Sequence, residues 1–173
     1  MRAVTMTALL GVLLAGAIGC APTYALRVNC GGEKDYVDQH EVKWLADRGA
    51  KGGDITDRPE MTMPLAQRPE LYLTERYGMS AYEFPVDNGT YCVKLHFAET
   101  WGPHTEAGMR VFSVKINGEM KLEDFDIFAQ AGGFARPIVM TCDGIAVTDG
   151  KIRIDFIEKV QNTEINAIEI LRY

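Results

Sequence analysis

The chain has 173 residues, 47% of them hydrophobic and 24% charged, with a formal charge of −6. That length holds one domain with a sizeable core rather than two, and the composition is that of a soluble globular protein, not a disordered one. Eighteen basic residues stand against twenty-four acidic ones, with no basic run to neutralise phosphates, which argues against nucleic-acid partners and an electrostatic membrane-surface role.

Residues 1–25 read as an export signal. Arg2 supplies the positive start, residues 8–18 an apolar stretch too short to span a membrane, and Thr23-Tyr24-Ala25 has small residues where a signal peptidase reads. The domain is then expected over residues 26–173, with no transmembrane segment in the mature chain. It would be secreted, periplasmic or at the cell surface. Gly19-Cys20 also resembles the end of a bacterial lipobox, which makes Cys20 a candidate lipid anchor. The mature part keeps Cys30, Cys92 and Cys142, an odd number that allows at most one bridge among them. No C-x-x-C and no Cys/His cluster at ligand spacing is present, so buried or paired structural cysteines are expected and no metal or cofactor is.

Residues 26–30 (LRVNC) read as a first strand that ends at Gly31-Gly32. Residues 33–69 lack periodicity and read as a functional loop system or short edge strands, with Gly52-Gly53 as a break. Trp44 is expected to pin this region to the body by packing. Residues 71–101 give two strand-like segments joined by a turn at Asp87-Asn88-Gly89. After it Tyr91, Val93, Leu95 and Phe97 alternate with Cys92, Lys94, His96 and Ala98, the period of a half-buried strand. His96 is expected on the face toward solvent or a shallow groove. Trp101 follows the strand on a loop carrying Gly102 and Pro103, where an aromatic is a candidate binding platform.

Residues 109–127 read as a hairpin about Asn117-Gly118, a type I′ signal. Residues 127–134 read as a short helical or irregular turn. Residues 136–141 and 145–147 are strand-like about a turn at Asp143-Gly144, and Asp149-Gly150 is a hairpin turn into residues 151–157. Residues 165–173 close the chain as a strand. Many short strands with little or no helix specify an all-β antiparallel sandwich of jelly-roll type.

Glycoside hydrolysis needs two carboxylates across a cleft. Glu99, Asp124 and Asp126 fit by type, but acidic residues at strand ends more often accept loop hydrogen bonds. No G-x-S-x-G elbow is present, and His40, His96 and His104 have no evident catalytic partner. The expected protein is not an enzyme. A neutral polar ligand asks instead for aromatic faces and hydrogen-bonding side chains at loop ends, and the chain offers Tyr77, Trp101, Gln161 and Asn162.

Taken together, Val28-Asn29-Cys30-Gly31-Gly32, Thr74-Glu75-Arg76-Tyr77, Tyr82-Glu83-Phe84-Pro85, Phe97-Ala98-Glu99, the run 112–118, Asp126-Ile127-Phe128 and Ile165-Asn166-Ala167-Ile168 resemble the malectin domain family, in order along nearly all of the mature chain. The resemblance implies a β-sandwich that binds glucose-type oligosaccharides through loop aromatics and one acid, without catalysis or cofactor. Tyr77 is similar to the family's stacking tyrosine, and Trp101 falls on the aromatic after the Phe-Ala-Glu. Gly102 stands where the next aromatic belongs, Gln161 or Asn162 where the acid does, and a Tyr-Gly pair has no counterpart between Arg48 and Asp54. The expected ligand residues are Tyr77 and Trp101 as stacking faces, with Gln161, Asn162, and Glu75 or Arg76 as hydrogen-bonding groups. The alternative is a cell-envelope structural or protein-interaction domain on the same fold, its sugar site lost.

Overall fold

The computed structural model describes residues 21–173, so Cys20 and most of the leader read at residues 1–25 lie outside the described residues. Strands β1 (Tyr24–Asn29), β6 (Gly89–Phe97), β9 (Ile138–Val147) and β12 (Ala167–Arg172) form one antiparallel sheet in the order β1-β12-β6-β9. A second sheet runs β11-β5-β10-β7-β8, from β5 (Thr74–Pro85), β7 (Val111–Ile116), β8 (Glu119–Phe125), β10 (Lys151–Val160) and β11 (Glu164–Ile165), and β4 (Ala50–Asp57) adds to the other edge of β5. A small ribbon pairs β2 (Tyr36–Val37) with β3 (Lys43–Trp44). Among the described residues the sandwich is all-β with one short helix, α1 (Ile127–Ala131), and one 3-10 turn, Pro69–Tyr72.

Alternation builds the core. Tyr91, Val93, Leu95 and Phe97 of β6 meet Phe112, Val114 and Ile116 of β7 and Ile152, Ile154 and Phe156 of β10 between the sheets, where removing apolar surface from water drives folding. Asn117 and Gly118 take φ of 48° and 81°, as a type I′ hairpin requires, and β7 pairs with β8 across them. Asp126 caps α1 by accepting from Ala129 N, and Gly132 closes it in the left-handed conformation.

Four local expectations are corrected. Asp149-Gly150 does not close a hairpin, because β9 and β10 lie in different sheets, and the turn at Asp87-Asn88-Gly89 likewise carries the chain from β5 in one sheet to β6 in the other. The two crossings run side by side, with Val86 N donating to Gly150 O and Gly150 N to Asn88 Oδ1. Asp143-Gly144 is a bulge inside one continuous strand, β9, where the register with β6 shifts. Gly52-Gly53 does not break the chain but lies within β4. Among the described residues Cys30, Cys92 and Cys142 are buried and unpaired, and burial pushes the Cys30 thiol up.

The fourth correction is His96, which is buried. Its strand is central in its sheet, and the segment between β1 and β5 covers the outer face, seating Trp44, Met63, Leu71 and Tyr72 against Ala98 and Ala167. Gly31, at φ 81°, lets that segment begin, since a Cβ there would stand 2.5 Å from Glu75 O. His96 Nδ1 lies 3.1 Å from Tyr72 Oη and Nε2 3.1 Å from Glu169 Oε1. Burial pushes the Tyr72 phenol up to about 12, and the ring of His96 is held between that hydroxyl and the Glu169 carboxylate.

Burial opposes ionisation of Glu169, but the bonds from His96 and Arg27 outweigh it and hold the carboxyl down to about 2. A depressed carboxyl stabilises the fold above its unfolded value, near 4.5, and that contribution is lost as pH falls toward about 2. Urea midpoints measured from neutral to acid pH are expected to fall less steeply in Glu169→Gln than in the wild type across that interval. Parallel curves would contradict the assignment.

Candidate functional site

An open cleft of about 420 Å³ lies between the β4 edge of the larger sheet, the β6–β7 loop and the turn joining β10 to β11. Thr56 and Arg58 line it from the first, Glu75 and Tyr77 from β5, Trp101 and Arg110 from the loop, and Gln161 and Asn162 from the turn. Five of the six ligand residues expected from sequence therefore meet on one concave surface. Arg76 does not. Successive strand residues point to opposite faces, so with Glu75 turned toward the cleft, Arg76 faces away and donates to Asp47 Oδ2 at 2.7 Å and to the carbonyls of Gly52 and Gly53.

Trp101 is 40% exposed, and its ring rests edge-on against His104 at 4.5 Å between centroids. Tyr77 is half-buried, and Gln161 and Asn162 are exposed. Gln161 has φ 59°, a left-handed conformation that costs a non-glycine residue about 1 kcal/mol. The turn around it is held by Gly78 N donating to Thr163 O at 2.8 Å and Thr163 Oγ1 to Met79 O at 2.9 Å. At Gly102 an added Cβ would meet nothing within 4 Å, and the backbone there is open to any residue.

Two acidic groups, Glu75 and Glu99, lie under this surface, and the candidate carboxylates are committed to structural partners. Glu75, 2% exposed, pairs with both terminal nitrogens of Arg58 at 2.9 and 3.1 Å and accepts from Thr100 Oγ1. Glu99 is 1% exposed and bound by Arg110, by His104 and by the Trp101 amide. Burial opposes its ionisation, but the Arg110 guanidinium holds its carboxyl below the ordinary range. Asp124 pairs with Lys159, and Asp126 caps α1. Among the described residues no group of three or more His, Cys, Asp or Glu side chains is gathered to hold a metal.

Thr56, Arg58 and Arg110 line the cleft without having been singled out in the sequence. Arg110 follows a loop with no periodicity, and Thr56, in the edge strand β4, and Arg58, just after it, belong to the aperiodic region read as a loop system or short edge strands, so no local pattern marks them.

The family model described as the malectin domain matches residues 24–170. Mouse malectin is 35% identical over 130 residues, covering 71% of this chain and 44% of its own length. Among solved structures, a Bacteroides uniformis β-glucuronidase matches with TM-score 0.77 at 22% identity, over 87% of this chain and 18% of that one. The plant protein FER, solved in complex with the peptide RALF23 and with LLG2, matches with TM-score 0.75 at 20% identity, over 91% of this chain and 53% of that one. This chain thus spans less than half of mouse malectin, and at those identities the two structural likenesses concern the fold alone.

Proposed function

The chain belongs to the malectin domain family, and from that premise we propose that it is a non-catalytic carbohydrate-binding domain of an exported protein, taking glucose-type or related oligosaccharides in the cleft between Tyr77 and Trp101. The observation that carries this reading is the convergence of an exposed indole, a tyrosine and two amides on one open cleft. Aromatic faces suit the apolar C–H surface of a sugar ring, and amides can both donate to and accept from its hydroxyls. A non-catalytic role is supported by Glu75, Glu99 and Asp124, each held in an ion pair. Export through the leader at residues 1–25 is part of the same proposal.

A glycan array followed by calorimetric titration of the strongest hit tests the reading, and a featureless array at millimolar glycan would sink it. That outcome, with co-purification of a protein, would favour the second reading, an interaction domain of the cell envelope. Gly102 is the observation on its side, since the stacking aromatic expected there is absent. If the cleft takes sugars, Gly102→Phe should restore the missing face at little cost, because the position is open. Affinity for the same glycan is expected to rise roughly three- to tenfold, the worth of one aromatic contact, and unchanged or weaker binding would place the ligand elsewhere.

A further inference from the structure

Arg110 is 5% exposed, and its donors divide between two parts of the chain that are distant in sequence. Nε and Nη2 reach Glu99 Oε2 and Oε1 at 2.7 and 3.3 Å, while Nη1 donates to the main-chain carbonyl of Asn162 at 2.8 Å. Glu99 in turn accepts from the Trp101 amide at 3.1 Å and lies 2.9 Å from Nδ1 of His104, the residue on which the Trp101 ring rests. Among the described residues no main-chain hydrogen bond joins residues 99–104 to residues 161–163. One guanidinium therefore spans the gap between the aromatic side of the cleft and its amide side.

We infer that Arg110 is the positioning residue of the cleft: through Glu99 it fixes the Trp101 platform, through the Asn162 carbonyl it fixes the amide turn, and it thereby sets the distance between them. This rests on the saccharide reading of the cleft. A planar fork with separate N–H groups can hold a carboxylate and a carbonyl at once in fixed directions, which a lysine ammonium at the end of a flexible stem does not reproduce. The strained Gln161 stays in place only while its neighbours are held, and Asn162 O is one of the anchors. Glu164 stands beside the fork without taking a hydrogen bond from it. It is fully buried, neither oxygen has a hydrogen-bond partner, and Oε2 stands 3.4 Å from Arg110 Nη2. Burial, then the nearby Glu75 carboxylate, push its carboxyl up, and it is Glu99, through two hydrogen bonds from the guanidinium, that orients Arg110.

Two variants of the whole chain test this by amide and indole NMR without ligand, and by titration with the oligosaccharide the wild type binds best. Arg110→Lys keeps the positive charge. It is expected to unfold cooperatively like the wild type, to shift the signals of both the Trp101 indole and the Asn162 amides, and to lose roughly tenfold or more in affinity. Glu99→Gln touches Arg110 from the opposite end, and it should shift the Asn162 amides, with which Glu99 makes no contact. Should Arg110→Lys fail to fold, Glu99→Gln alone decides. Wild-type affinity in Arg110→Lys, or Asn162 signals unmoved in either variant, would overturn the inference. A wild type that binds no oligosaccharide refutes the saccharide reading instead, and the ligand-free spectra still decide whether Arg110 couples the two loops.

Discussion

Trp101→Ala is expected to abolish measurable saccharide binding while the domain stays folded. The ring is the most exposed aromatic of the cleft at 40% and lines it together with Tyr77. A flat aromatic that desolvates against one face of a sugar is the type of contact that dominates a small interface, where truncation costs about 2–4 kcal/mol, or roughly 30- to 1000-fold in affinity. Stability should move little, because the exposed ring buries modest area and the loop is held by groups the substitution spares. Those are the main-chain bond from residue 101 to Glu99 and the pairing of Glu99 with Arg110. Calorimetric titration and a thermal melt of both proteins give the result. Saturable binding at wild-type strength would reject the site, and a large fall in melting temperature would show the ring to be structural.

Trp44→Ala is expected to do the reverse, lowering stability by about 3–5 kcal/mol, as truncations of large buried aromatics do. Trp44 is fully buried in the satellite core with Met63, Leu71, Tyr72, Ala98 and Ala167, and packs edge-on against His96 at 5.8 Å. Its indole also donates to Asp38 Oδ2 at 3.0 Å. Burial opposes ionisation of Asp38, but bonds from Val42, Trp44, His40 and Arg68 hold it down to about 2. Removing the indole thus leaves a cavity and a buried carboxylate short of one donor. Against a total of about 5–15 kcal/mol for a domain, urea denaturation should show a midpoint shifted by a large fraction of its value. A change below about 1 kcal/mol would mean that the segment between β1 and β5 is held without this ring.

The contrast between these tryptophans shows what a linear reading can and cannot reach. Both were assigned from local context, one among polar residues with little else to bury and one on a loop after a strand. The packing of Trp44 follows from that context because a long segment needs an apolar anchor somewhere. The sequence offers Trp101, Tyr77, Gln161 and Asn162 as residue types at loop ends, but nothing local brings those separate loops together on one surface. Arg76 shows the opposite case. Its neighbour Glu75 reaches the cleft, so the alternation of a strand already forbade both from lining it, a constraint that applies once the strand is known to run through Thr74–Pro85.

By itself the sequence determined the periodic strands of the sandwich, the Asn117-Gly118 hairpin, the helical turn after Asp126 and the core face of β6, because side-chain period and positive-φ turn chemistry are properties of neighbouring residues. The tertiary structure alone decided which sheet each strand joins. A turn such as Asp87-Asn88-Gly89 has the same local chemistry whether the chain folds back or crosses to the other sheet. It also decided that His96 is covered and that Arg110 lies beneath the cleft. Burial and ion pairing depend on what the rest of the chain brings up against a residue, and those partners, Trp44 for His96 and Glu99 and Asn162 for Arg110, come from elements whose meeting no local pattern encodes.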